Sequence, residues 1–229
     1  MRHTKNQRKR KWFILFGNPA IYFLMGTTNA GTKEPLALLK EALQGGITHF
    51  QLREKGHGAL TGEALVEFAA NCQKLCSEYG VPMFINDDVE LACAIEADGI
   101  HIGQDDMGCG EVRKRIGASM ALGVSVHSVK EANEALACGA TYLGMGPVFG
   151  TRTKSDAKPP AGVAEIIKVK TQYPNVPVIG IGGIEPGNAE MVWRAGVSGI
   201  AVISSIAQAE DVAGQIERFK QSIPGRRVG

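Results

Sequence analysis

The sequence predicts a single-domain α/β protein of the (β/α)₈ (TIM) barrel type, on three observations. Eight short β-like runs recur along the chain, glycine-ended helical segments separate them, and acidic, basic and glycine-rich residues gather where the runs end. With 229 residues and 44% hydrophobic composition, the chain can build one sizeable core at a length where an α/β barrel forms one domain. An open doubly wound sheet shares the alternation, and strand count alone does not separate the two.

The eight runs are IYFLMG (21–26), HFQLRE (49–54), PMFIND (82–87), GIHIG (99–103), MALGVS (120–125), TYLGMG (141–146), PVIGIGG (177–183) and GIAVISS (199–205). Between them, EPLALLKEALQGG and TGEALVEFAANCQKLCSEYG place apolar residues three and four apart and end in glycine, as crossover helices do. Such crossovers join parallel strands and cover the sheet they flank. A weak internal echo, in QGGITHFQL, ACGATYLGM and RAGVSGIAV, repeats the passage from glycine-ended helix into strand. The expected organisation is a basic, flexible arm over 1–18, a barrel over 19–224 and a tail over 225–229.

The net charge of +2 is misleading, because the first eleven residues hold six Lys and Arg and no acid. The remainder carries 19 Lys plus Arg against 23 Asp plus Glu, which is no nucleic-acid footprint. The apolar stretch WFILF after the basic arm is five residues long, too short for an export core, and no run elsewhere reaches membrane-spanning length. Five cysteines, odd in number and without a paired C-x-x-C, are expected as free thiols in a reducing cytoplasm.

The functional face of either architecture lies at the carboxyl ends of the strands. Asp87 and Asp106 end runs three and four, one βα unit apart, and neighbouring strands are about 4.8 Å apart. Two carboxylates so placed can share one hard cation, for which Mg²⁺ is suited because it takes one or two carboxylates plus water and phosphate oxygens. Helix capping is the alternative; it is preferred for Asp88 and Asp105 and stays open for Asp87 and Asp106. Gln51, Arg53 and Lys55 alternate at the end of run two and so point one way, beside the acids in a barrel. Cations and metal together suit a diphosphate.

A second phosphate signal lies in GIGGI (180–184) and AVISS (201–205), the ends of runs seven and eight, where barrels commonly bind phosphate. Gly182 and Gly183 allow close backbone approach. The long connection GPVFGTRTKSDAKPPAG (146–162) reads as a lid whose Thr151, Thr153 and Lys154 offer groups for phosphate oxygens, with a solvated loop as the alternative. No Cys–His or Ser–His pair reads as a nucleophilic site, and His101 is expected to pack within the barrel.

Taken together, QLREK, NDDVELA, ADGIHIGQDD, GVS, GPVFGTRTK, GIGGI and VISS closely resemble thiamine-phosphate synthases, from about IYFLMGTTN to the last helix. The resemblance implies a transferase joining 4-amino-2-methyl-5-(diphosphooxymethyl)pyrimidine to 4-methyl-5-(2-phosphooxyethyl)thiazole with release of diphosphate. It implies Mg²⁺ on Asp87 and Asp106. It implies that Gln51, Leu52, Arg53, Glu54, Lys55, Asn86, Ser125 and Lys154 contact the pyrimidine diphosphate, with Arg53, Lys55, Ser125 and Lys154 in catalytic roles. Thr151, Thr153, Gly183, Ile203 and Ser204 would hold the thiazole phosphate. Its partners would be these small molecules, in the cytoplasm, with no nucleic acid and no membrane; homo-oligomerisation stays open. The rival readings are a thiazole tautomerase-like sister enzyme and a non-catalytic thiamine-phosphate sensor.

Overall fold

The computed structural model describes residue 16 and residues 19–150, 160 and 162–225. Its eight parallel strands are β1 (Ala20–Met25), β2 (His49–Leu52), β3 (Met83–Asn86), β4 (Gly99–Ile102), β5 (Ala121–Val126), β6 (Tyr142–Met145), β7 (Val178–Ile181) and β8 (Gly199–Val202). They pair in chain order, and β8 returns to β1 with Ala20 opposite Gly199 and Phe23 opposite Val202. That closure decides for the barrel over the open sheet. All eight expected runs are strands, with ends shifted or shortened by one to three residues, and Arg53, Asp87 and Gly182 lie just past their strands.

The helices among the described residues are α1 (Pro35–Gly45), α2 (Gly62–Glu78), α3 (Val89–Ala94), α4 (Cys109–Ile116), α5 (Val129–Ala137), α6 (Ala164–Gln172), α7 (Pro186–Arg194), α8 (Ser204–Ala207) and α9 (Val212–Gln221). Local chemistry sets their ends. The Glu34 carboxylate accepts from the Leu36 and Ala37 amides ahead of Pro35, and Gly46 closes α1 at φ 85°. Asp88 caps α3 by accepting from the Leu91 amide at 2.9 Å, as expected. The internal echo has a structural counterpart, since Gly46, Gly139 and Gly196 all adopt left-handed φ before the next strand. No described helix is long and apolar enough to cross a membrane.

Side chains alternate along the strands between two apolar shells. Ile21, Phe23, Met25, Phe50 and Ile85 join the shell between barrel and helices, whereas Tyr22, Leu24, Phe84, Tyr142 and Ile179 fill the barrel. Gly123 makes room there: a Cβ on it would lie 2.1 Å from Cζ of Tyr142 and 2.4 Å from Nδ1 of His101. Phe16 departs from the expected flexible arm. Its ring is buried among Tyr22, Phe84 and Tyr142 and stacks on His49 at 4.5 Å, closing the barrel's amino-terminal end, where the first residues of the strands leave a floor to fill.

The cysteines also depart from expectation. Cys109, first in α4, and Cys138, just after α5, form a disulfide with Cα atoms 6.1 Å apart. Their 29-residue separation spans a whole βα unit, so no short motif announces that successive helices lie side by side here. Cys72, Cys76 and Cys93 are free thiols, and burial pushes Cys76 up to about 12.

Phe16→Ala should lower stability by about 3 kcal/mol, typical for emptying a buried aromatic site. Deleting residues 1–11, which the sequence marks as a basic arm outside the expected barrel, should leave it within about 0.5 kcal/mol. Urea denaturation of the two variants checks both expectations.

Candidate functional site

The site is built where β3 and β4 end. Their pairing sets Asn86 opposite His101, and the Asp87 amide extends it by donating to the His101 carbonyl at 2.8 Å. Asp87 pays for this with a left-handed φ of 62°, a conformation aspartate tolerates better than most residues. Four positions past β4, Asp106 folds back so that its Oδ2 accepts from the Gly103 amide at 2.7 Å. The two carboxyl groups then hydrogen-bond to each other.

Adjacent acids cannot both ionise cheaply. Asp87 is raised to about 6, first by burial, then by its bond to Asp106, against the opposing pull of Lys55. Asp106 moves down: partial burial would raise it, but the bond from Asp87, the Gly103 amide and the neighbouring positive charge outweigh that effect. Below about pH 6 the pair therefore takes up one proton, carried mainly by Asp87. The Lys55 ammonium sits against Oδ2 of Asp87, which also accepts from the Asn86 amide at 2.7 Å. The two carboxylates form a donor set fit for a hard cation once the Lys55 ammonium turns away from Asp87. No cluster of three His, Cys, Asp or Glu exists among the described residues, so a metal here would draw its other ligands from solvent or substrate.

Around the pair opens a cavity lined by Arg53, Lys55, Asn86, Asp87, His101, Asp106, Ser125 and His127. It shares Ile181 and Gly182 with a second cavity lined by Gly183, Ile203, Ser204 and Ser205. Gly183 has φ 61°, and a Cβ there would stand 2.4 Å from the Gly150 carbonyl oxygen, so the backbone itself forms that wall. Beneath the mouth a polar chain crosses the barrel: Gln51 Nε2 donates to Tyr22 at 3.0 Å, the Tyr22 and Tyr142 hydroxyls meet at 3.2 Å, and His101 bridges Tyr142 and Ser125 at 3.0 and 2.9 Å. Burial raises both phenols, which stay protonated. The buried Oε1 of Gln51 has no hydrogen-bond partner among the described residues, an acceptor suited to a ligand's N–H.

Several sequence expectations need correction. Asp105 caps nothing; α4 begins behind Gly108, and Asp105 lines the first cavity. Within the stretch 51–55, Leu52 is buried in the outer shell, and the Glu54 carboxylate turns to Thr27 and Leu60. The pleat sends these two away from the side taken by Gln51, Arg53 and Lys55. The eighth run does not continue as strand through Ser205, because α8 starts at Ser204. His101 does pack inside the barrel, yet it also lines the cavity. Thr151, Thr153 and Lys154 lie outside the described residues.

His127 was not singled out from the sequence. It follows Ser125 on the same strand face, a period-two signal that was available. Its backbone N–H and its ring Nδ1 both meet one Glu131 carboxylate oxygen, at 2.7 and 2.9 Å, which fixes the ring at the cavity wall.

A sequence model of the thiamine monophosphate synthase family matches residues 21–206. The chain belongs to this family. It is 49% identical over 200 residues to a thiamine-phosphate synthase of Lysinibacillus sphaericus, spanning 87% of this chain and 93% of that one. It is 48% identical over 203 residues to one of Bacillus mycoides, spanning 89% and 92%. A thiamine phosphate pyrophosphorylase structure from Pyrococcus furiosus superposes with a TM-score of 0.81 at 34% identity, covering 91% of this chain and 96% of that one. Both cavities of this barrel thus lie within a fold and sequence shared with the family along nearly its whole length.

The raised Asp87 sets a pH dependence. The folded value for Asp87, about 6, lies above the unfolded value of about 3.9, so the native state binds this proton more tightly. Its stabilising contribution is complete below the unfolded value and is lost as pH rises through about 6. Melting temperatures of metal-free protein should therefore decline between about pH 4 and 6 more steeply than those of Asp87→Asn, measured by differential scanning calorimetry.

Proposed function

We propose that this chain couples 4-amino-2-methyl-5-(diphosphooxymethyl)pyrimidine with 4-methyl-5-(2-phosphooxyethyl)thiazole, forming thiamine phosphate and diphosphate. The observation that carries the reading is the pair of joined cavities on one strand-end face, the first with a carboxyl pair and two cations, the second walled by glycine backbone and serines. Membership of the thiamine monophosphate synthase family supports it.

In this reading Asp87 and Asp106 hold Mg²⁺, which when bound neutralises charge on the diphosphate oxygens. Arg53 and Lys55 meet the same oxygens, and Lys55 leaves Asp87 to do so. Gln51 accepts from the pyrimidine amino group with the oxygen that lacks a partner, and Asn86 and Ser125 orient the ring and its diphosphate. The carbon–oxygen bond breaks with its electron pair on the departing diphosphate, and the thiazole nitrogen donates its lone pair to the pyrimidine methylene carbon. No enzymic nucleophile is required. The cations stabilise the leaving charge electrostatically, and a common pocket removes the entropic cost of the encounter. Gly183, Ile203 and Ser204 hold the thiazole phosphate; the sequence resemblance adds Thr151 and Thr153 to that subsite and Lys154 to the diphosphate.

A cytoplasmic location and the absence of a nucleic-acid partner belong to the reading, and homo-oligomerisation is compatible with it. A thiazole tautomerase-like activity would leave Asp87, Asp106, Arg53 and Lys55 without a task, whereas a thiamine-phosphate sensor would keep the pocket and is separated by turnover. Purified protein given both substrates and Mg²⁺ should release diphosphate and thiamine phosphate in equal amounts, and chelation should stop it. Asp106→Ala should lower turnover by about 100-fold or more, a loss typical for removing electrostatic stabilisation of a transition state, with little change in melting temperature. Binding of both substrates without diphosphate release would reject the proposal in favour of the sensor.

A further inference from the structure

The loops after β1 and β2 are knotted together by one side chain. Glu54 lies between the two cations of the first cavity yet does not line it. Its Oε2 accepts from the Thr27 amide at 2.7 Å, and its Oε1 accepts from the Thr27 hydroxyl and, at 2.9 Å, from the Leu60 amide. Thr27 opens the short turn Thr27–Asn29 that follows β1, and Leu60 stands at the far end of the loop after β2. One carboxylate thus spans both loops. The backbones beneath it touch: a Cβ on Gly26 would lie 2.2 Å from the Arg53 carbonyl oxygen. The Arg53 amide donates to the Met25 carbonyl at 2.9 Å, and the Thr28 hydroxyl donates to the Lys55 carbonyl at 2.7 Å.

We infer that Glu54 is a positioning residue for the diphosphate subsite, fixing the backbone from which Arg53 and Lys55 reach it; the inference rests on the proposed reading of that cavity. Three donors to one carboxylate make a stiff junction, since charge-assisted bonds are roughly twice as strong as neutral ones. The junction also solves an electrostatic problem. A glutamate between two diphosphate-binding cations would repel the ligand if it entered the cavity, and here the pleat and the Thr27 and Leu60 donors hold it on the opposite side. Arg53 and Lys55 are long chains beyond the end of β2, so the ladder alone does not fix their direction. A displacement of about 1 Å at reacting groups costs up to about 100-fold in rate, which is the scale on which such a junction acts.

The test is binding of inorganic diphosphate in the presence of Mg²⁺ by calorimetry, together with KM for each substrate. Glu54→Ala should weaken diphosphate binding and raise KM for the pyrimidine diphosphate about tenfold, within the range expected from such misplacement. KM for the thiazole phosphate should stay within about twofold, because Gly183 and Ser204 stand on other loops. Thr27→Val, which removes only the hydroxyl donor, should shift the same two quantities in the same direction by less. Glu54→Gln, which keeps one acceptor oxygen, should fall between Glu54→Ala and the parent. Diphosphate binding unchanged in Glu54→Ala, or equal losses for both substrates, would overturn the assignment. Failure of the parent protein to bind diphosphate at all would instead overturn the reading of the cavity.

Discussion

The pairing of β3 with β4, continued one residue past the ladder by the Asp87 amide and the His101 carbonyl, is the constraint on which the site depends. It brings two carboxyl groups within hydrogen-bonding reach in a half-buried position, where two full negative charges would be costly. The molecule meets the conflict in two ways: Asp87 takes up a proton below about pH 6, and Lys55 sits on Asp87. Either arrangement is one that a divalent cation could replace. The left-handed backbone at Asp87 is part of the same compromise, since strain of this kind persists only where surrounding structure holds it.

Below this pair the barrel interior is less apolar than a core needs to be. Tyr22, Tyr142, His101, Gln51 and Ser125 form a hydrogen-bonded chain where aliphatic packing would stabilise more simply. The phenols satisfy one another, but Gln51 keeps a buried acceptor without a partner among the described residues. An unpaired buried acceptor costs about 1–3 kcal/mol. Phe16 and the two apolar shells offset such costs from the far end, so the floor of the barrel supplies stability and its mouth supplies chemistry.

Much of this was legible in the sequence because period and position carry physical meaning. Eight apolar runs separated by glycine-ended helices imply strands and crossovers, and acids or cations at run ends imply a functional mouth. The alternation of Gln51, Arg53 and Lys55 forecast which side chains face inward, and the same rule, applied strictly, would have excluded Leu52 and Glu54 from direct contact. Asp105 misled because an acid before a helix resembles a cap, whereas α4 starts later, behind Gly108. The Cys109–Cys138 bond depends on successive βα units lying side by side and the seat of Phe16 on the floor of the closed barrel, and neither leaves a local pattern. His127 owes its place to Glu131, four residues on, a partnership that only the turn into α5 creates.

The claim at the centre is that Asp87, raised beside Asp106, takes up a proton near pH 6 that a divalent cation displaces. Carbon-13 NMR of the aspartate carboxyl groups, titrated with and without saturating Mg²⁺, measures this directly. The account predicts one carboxyl titrating near pH 6 in the metal-free protein, absent in Asp87→Asn and driven to lower pH by Mg²⁺. A spectrum in which no aspartate titrates near that pH, or in which Mg²⁺ leaves the titration where it was, would contradict it.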